Sequence, residues 1–268
     1  MTDGSAPRLL PPGEGEDIGG RLWIKCDLEP LAFTDTVGSS STSPHIHETH
    51  VDGFWVLEPG FVVGVGDEEI ELETGDFALV PPGLVHYFKA TDSRWLNLHA
   101  PNAGFAEYLR SGADFDNRDA ADGDNRRTAD GVLRRGDEGE LIELGPNARG
   151  RVKVGADDAI GSVTVIDFEL AAESAGPPPH LHERITDSFW VLDGTLTVLM
   201  DGEEQEAPAG SHVVIPPGNV HSVSNPSAEP VRFLNISTPG GLERYLRELA
   251  ADPSDFTAIA ARHDVIPA

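Results

Sequence analysis

Apolar and polar positions alternate along much of this chain in short runs, and Gly, Pro and Asp-Gly pairs punctuate them. Phe61–Val65, Glu69–Leu72, Thr195–Met200 and Val231–Ile236 are β-branched or alternating and read as strands. The period changes only behind these strand-rich stretches. Leu242, Tyr245, Leu246 and Leu249 recur at i, i+3, i+4 and i+7, which predicts an amphipathic helix. Asp252-Pro253 then opens a short last helix to about Arg262, with proline in its first turn. Phe105, Tyr108 and Leu109 sketch a counterpart helix earlier in the chain, where the aromatic rings read as core packing.

The pattern occurs twice. His45-Ile46-His47-Glu48 leads to Phe54-Trp55-Val56-Leu57, and His180-Leu181-His182-Glu183 leads to Phe189-Trp190-Val191-Leu192. Downstream, GDFALVPPGLVH at 75–86 answers GSHVVIPPGNVH at 210–221, so the offset is 135 residues at both ends (180 minus 45, 221 minus 86). An extra residue at Pro59 is compensated before Gly75, and both copies run into related tails at 96–110 and 234–247. The chain is therefore a duplication, with one domain over 1–112 and another over 140–268. Residues 113–139, rich in Asp, Arg, Gly and Ala without hydrophobic period, read as a linker or long loop.

Composition narrows the class. A chain of 268 residues with 39% hydrophobic content can bury a substantial core, and 29 Gly with 21 Pro suit short strands joined by tight turns. The formal net charge of -27 argues against nucleic acid and against an anionic membrane surface as partners. Cys26 is the only cysteine, which excludes an intrachain disulfide and thiolate metal sites. The N-terminal segment lacks the charged-then-apolar order of a signal peptide, and no apolar run approaches the ~18 residues of a membrane span. The expectation is a cytoplasmic protein.

The candidate chemistry lies in the histidines. Six of the ten fall at matched positions in the two copies. Side chains at i and i+2 of a strand share a face, so His180 and His182 point inward together, Asp187 begins the next strand, and the Pro216-Pro217-Gly218 turn delivers His221. The first copy supplies His45, His47, Asp52 and His86 by the same route. Strand parity turns the alternative carboxylates Glu48 and Glu183 away from that face. Three nitrogen donors and one oxygen suit a borderline divalent first-row ion, and four protein groups leave positions open on an octahedral one. His50, whose counterpart is Ile185, reads as an exposed turn histidine, with a supporting place beside the first site as its alternative. His99, His212 and His263 have no motif context.

These motifs resemble those of the cupin superfamily, whose second motif runs G-x5-P-x-G-x2-H-x3-N. Gly210, Pro216, Gly218, His221 and Asn225 match it fully; Gly75, Pro81, Gly83 and His86 match in the first copy, where Ala90 replaces the Asn. The resemblance implies an all-β fold of two jelly-roll (double-stranded β-helix) barrels with short C-terminal helices. It also implies up to two ions per chain (iron, nickel, manganese or cobalt, with zinc possible) and a small-molecule substrate. In similar two-barrel proteins an N-terminal segment often crosses to the other barrel and homodimers are common; residues 1–25 could cross in this way or form a tail. The acidic ligand of the family is usually Glu, whereas Asp52 and Asp187 are one methylene shorter. Metal-free members of the family usually lose ligands in at least one half, whereas both quartets are intact here.

Within that superfamily the FWVL strand, the PPGxxH turn and the terminal TPGGLERYLREL run look like the quercetin 2,3-dioxygenase-like group. The resemblance implies an oxygen-dependent cleavage of a phenolic or flavonol-like substrate, with Asp187 or Asp52 accepting the phenolic proton. Phe54, Val56, Phe88, Phe189, Val191 and Val223 are the expected cavity walls, apolar enough for a planar, weakly charged molecule. Two other classes stay open. One is an oxygen-independent isomerase, lyase or hydrolase of a small carboxylate or amide, which would need a cation aimed at its substrate; on the HxH side only Arg184 lies nearby. The other is a metal- or ligand-binding barrel without turnover.

Overall fold

The computed structural model describes residues 6–121 and 131–268. Residues 1–5 of the leading segment and 122–130 of the stretch read as a connector lie outside the described residues. The chain divides into two compact units: one comprises 14–138 with 158–162, and the other 1–13, 139–157 and 163–268. No helix among the described residues is long and apolar enough to cross a membrane.

The second unit packs a seven-stranded sheet against a five-stranded one, all pairings antiparallel. The strand Thr186–Asp193 runs in the large sheet between Val231–Thr238 and His212–Ile215. Its alternation turns Asp187, Phe189 and Val191 to one face, and Phe189 and Val191 join a core with Val198, Val213 and Phe233. In the first unit the corresponding strands belong to one eleven-stranded sheet, because the long strand His86–Ala100 spans both layers through an irregularity between Ala90 and Ser93. Asn225, whose place Ala90 takes in the first unit, is fully buried and donates to the carbonyls of Ala171 and Glu229. The last position of the motif is therefore a turn staple, needed where the strand breaks and dispensable where it runs on.

Both ends of the chain course differ from a simple two-block division. Arg8–Leu10 pairs with His212–Ile215 of the second unit, so part of the leading segment covers an edge of that sheet. Residues on both sides of 122–130 pack into the first unit: Arg118–Asp119 pairs with His45–Ile46, and Val132–Arg134 with Phe77–Val80. Helix Leu242–Ala251 forms where the periodicity predicts it. Asp252 caps the turn that follows by accepting from the Ser254 backbone N–H, and Phe256–Arg262 completes the last helix. The counterpart helix in the first unit, Phe105–Ser111, is shorter by three residues.

Candidate metal centres

Each centre is assembled from two opposed strands and one turn. Cross-strand pairing sets His45 directly opposite His86, and His180 directly opposite His221. The middle histidine of each set is fixed by the Pro-Pro-Gly turn, whose glycine N–H donates to its carbonyl: Gly83 to His47 at 2.7 Å and Gly218 to His182 at 2.6 Å. These glycines sit at φ 80 and 82, in the left-handed region, which explains why the motif demands glycine there.

The donors converge. The ligand atoms of His45, His47, Asp52 and His86 lie within 4.8 Å of one another, as do those of His180, His182 and His221. Asp187 Oδ2 stands 3.4 Å from Nε2 of both His182 and His221. Asp52 Oδ2 lies 3.2 Å from His86 Nε2 and 3.6 Å from His47 Nε2. Glu48 and Glu183 are exposed on the opposite face, Glu48 paired with Arg118.

The hydrogen bonds decide the state of these rings. All six motif histidines present Nδ1 to a backbone carbonyl: His45 to Ser43, His47 to Asp116, His86 to Leu84, His180 to Pro178, His182 to Asp264 and His221 to Asn219. An imidazole that donates Nδ1–H carries its lone pair on Nε2. The Nε2 atoms of His47, His182 and His221 are buried without a hydrogen-bond partner and point at a carboxylate oxygen. Lone pairs opposed at this distance repel unless a cation lies between them, and ligands about 2.1 Å from a shared ion sit about 3.0–3.4 Å apart. The donor sets fit a divalent ion.

Burial supports the neutral imidazole. Desolvation, then the neighbouring His86, pushes His45 down to about 4, and desolvation with His221 does the same to His180. His182 moves upward, because the Asp187 carboxylate beside it outweighs its burial. Asp187 and Asp52 are themselves held well below the usual carboxylate range; burial opposes this, but for Asp187 the adjoining His182 and His221 prevail, and for Asp52 His99, His47 and His86. The inner oxygen of each carboxylate is also held: Asn97 Nδ2 donates to Asp52 Oδ1 at 2.6 Å, and Asn235 Nδ2 and Ser237 Oγ donate to Asp187 Oδ1 at 3.0 and 3.1 Å.

Two aspartates outside the motifs hold the loop between the second histidine and the next strand. Asp116 accepts from the backbone N–H of Glu48 and Thr49, and Asp264 from those of Glu183 and Arg184, while the carbonyl of each takes the Nδ1–H of the middle histidine. Both stand two residues ahead of the short strand that closes on the first histidine. The sequence hides this correspondence, because their offset is 148 rather than 135, displaced by the longer helical segment that precedes Asp264.

The two barrels differ inside. A cavity of about 650 Å³ opens onto His180, His182, Asp187 and His221 in the second unit. Phe168, Phe189, Val223 and Phe233 line it, and the helix Leu242–Ala251 closes it with Leu242, Tyr245, Leu246 and Leu249. Val191 lies farther along its strand in the core, whereas Phe189 and Val223 line the cavity. No lysine or arginine lines the cavity among the described residues, and Arg184 points to solvent beside Asp264. In the first unit the matching registers carry Phe61 for Leu196, Phe88 for Val223 and Trp95 for Phe233. With Phe54 these rings stack at 5.3 to 5.7 Å, and Val56 packs among them, so there the expected cavity walls are core.

His50 is not an exposed turn residue: it is fully buried, its ring stacked on His47 at 4.1 Å, with Nδ1 donating to Asp116 at 3.0 Å. His99 is buried beside it and occupies the register that Ser237 holds in the second unit.

Duplicated antiparallel barrels, each converging three imidazoles and a carboxylate, define a two-barrel metal-binding class. The chain matches the cupin domain over residues 33–99 and again over 167–237, just over half its length, and it belongs to that family. It is 23% identical to the quercetin 2,3-dioxygenase of Bacillus subtilis (strain 168), over 92% of this chain and 86% of that one. Among solved structures it resembles the oxalate decarboxylase of Bacillus subtilis, with a TM-score of 0.56 and 16% identity over 89% of this chain and 80% of that one. It also resembles procruciferin, an 11S globulin from Brassica napus, with a TM-score of 0.60 and 10% identity over 88% and 84%. These likenesses to solved structures establish the fold.

Proposed function

We propose that the second barrel is the catalytic centre of a metal-dependent dioxygenase that cleaves a planar, weakly charged aromatic substrate of the phenol or flavonol kind. The observation that carries this reading is the cavity: about 650 Å³, walled largely by aliphatic and aromatic side chains, open to the histidine set and with no cation among its described lining residues. A small dicarboxylate would need a guanidinium or ammonium to offset its charge in such a chamber, and this argues against oxygen-independent chemistry on such an acid. The relation to a quercetin 2,3-dioxygenase supports the same direction.

His180, His182, His221 and Asp187 would hold a divalent ion, which supplies Lewis acidity toward a substrate hydroxyl or enolate and one-electron chemistry with dioxygen. The remaining work belongs to the chain. Phe168, Phe189 and Phe233 would sandwich and orient a flat ring system, and the helix closing the cavity would keep bulk water from the reacting face. Asp187, buried and ionised at the inner end, would accept the proton of a substrate hydroxyl, with Asn235 and Ser237 fixing its other oxygen.

Oxygen uptake by protein loaded separately with iron, nickel, manganese or cobalt, screened over flavonols, dihydroxyaromatics and small dicarboxylates, tests the proposal. Consumption of one O2 per flavonol or dihydroxyaromatic cleaved is the expected result. Turnover confined to a dicarboxylate, or ligand binding without oxygen consumption for every metal, overturns it.

A further inference from the structure

The first barrel carries a second group of donors that the motif does not account for. The ligand atoms of His47, His50 and His99 lie within 4.8 Å of one another, and all three residues are buried, His50 completely. His50 Nε2 and His99 Nδ1 are enclosed without a hydrogen-bond partner, as is His47 Nε2. A fully buried imidazole nitrogen left unpaired loses its hydration without a replacement, so two extra ones in a single pocket call for a cause. The second barrel avoids the cost: Ile185 stands at the position of His50 and Ser237 at that of His99.

Structural roles explain only part of each ring. His50 is anchored through Nδ1 to Asp116, and this leaves Nε2 directed inward. His99 is stacked on Phe105 at 3.7 Å and has Nε2 beside Asn97 Oδ1 at 3.1 Å. A ring that gives its Nδ1–H to Asp116 carries its lone pair on Nε2, and a ring that gives its Nε2–H to Asn97 Oδ1 carries it on Nδ1. The free nitrogens are therefore lone pairs.

We propose that His47, His50 and His99 form a second, all-imidazole ion position in the first barrel, an alternative to the position made by His45, His47, Asp52 and His86. His47 belongs to both. Its Nδ1 is committed to the Asp116 carbonyl, so Nε2 is its one ligating atom and the two positions exclude each other. Three nitrogens without a carboxylate favour copper or zinc in a three-coordinate set with one open place, whereas the position containing Asp52 suits manganese or iron. The first barrel would thus discriminate between metals by where it seats them, a choice the second barrel lacks.

This rests on the reading that the first barrel binds metal, and the test separates the two. In full-length protein carrying His180→Ala and His221→Ala, so that only the first barrel is read, Mn2+ and Cu2+ are titrated alone and in competition, with bound metal counted by elemental analysis. The expected result is one equivalent in all, with copper displacing manganese one for one. His50→Ile and His99→Ser, which install the residues of the second barrel, each remove a proposed ligand and should weaken copper by roughly 10-fold or more, at least the cost of disturbing a ligand's surroundings, while manganese binding by His50→Ile stays as it was. Retained manganese binding also shows that His50→Ile is folded. Copper bound alongside manganese, or a copper-to-manganese preference that neither variant changes, overturns the second position. Failure to bind either metal overturns the metal reading of this barrel itself.

Discussion

At the scale of single residues, the centres are organised by hydrogen bonds that point away from the ion position. Each Nδ1–H given to a backbone carbonyl frees an Nε2 lone pair, and the carboxylate among them is pinned through its other oxygen. Asp187→Asn keeps the size of the side chain and removes the charge, so metal affinity in the second barrel should drop roughly 10–100-fold or more, measured by titration with Mn2+ or Co2+. Unchanged affinity would show that Asp187 is not a ligand. Asp116 allows a prediction in acid. Although its partial burial acts upward, Thr49, the Glu48 and Thr49 backbone and His50 hold its carboxyl at about 2. A lowered folded-state value means the contribution is fully present above the unfolded value of about 3.9 and is lost as pH falls toward 2. Hydrogen exchange at the Glu48 and Thr49 amides should therefore accelerate relative to neighbouring strands between about pH 4 and 2, and Asp116→Asn should abolish that pH dependence.

At the scale of elements, much of the site was legible because strand parity and turn chemistry are local. The His-x-His pairs, the Pro-Pro-Gly turns and the aspartates at the start of the next strands carry their orientation in sequence spacing alone. What escaped is non-local. Asp116 and Asp264 reach their loops only after a helix of different length in each copy, and the inward aim of His50 follows from the packing of Phe105 and Phe115 around the neighbouring His99 and His47. The helix Leu242–Ala251 was legible as amphipathic, but whether its apolar stripe seals a core or lines a chamber depends on what stands opposite. Val223 and Phe233 line the chamber with it, in the registers where the first barrel has Phe88 and Trp95. Val223→Phe, which installs the ring of the first barrel, should narrow the chamber beside His221. Metal content and melting temperature should hold, while kcat/KM falls by roughly 10–200-fold, the range expected when a pocket is mismatched by a small group. A loss of metal along with activity would mean that the substitution reached the ligands instead.

At the scale of the whole molecule, duplication gave two copies of one metal-binding frame, and their interiors then diverged. Both frames keep their donors in matching registers, since losing one partner of a buried set leaves the others uncompensated. The volume behind the donors is free to change: replacing large rings by smaller side chains at a few inward positions, with the chain course unaltered, turns a packed core into a chamber. The first barrel carries large rings together with His50 and His99; the second has smaller side chains in the matching registers and a longer closing helix. Holding metal and turning over substrate should therefore be separable by barrel. His45→Ala should remove about one equivalent of metal and leave most of the turnover, whereas His180→Ala should remove a different equivalent and with it the activity; elemental analysis beside an oxygen-uptake assay reads both. If His45→Ala instead silences the enzyme while the ion of the second barrel remains, the chamber lacks catalytic independence, and the closed barrel, with its additional histidines, becomes the place to look for the chemistry.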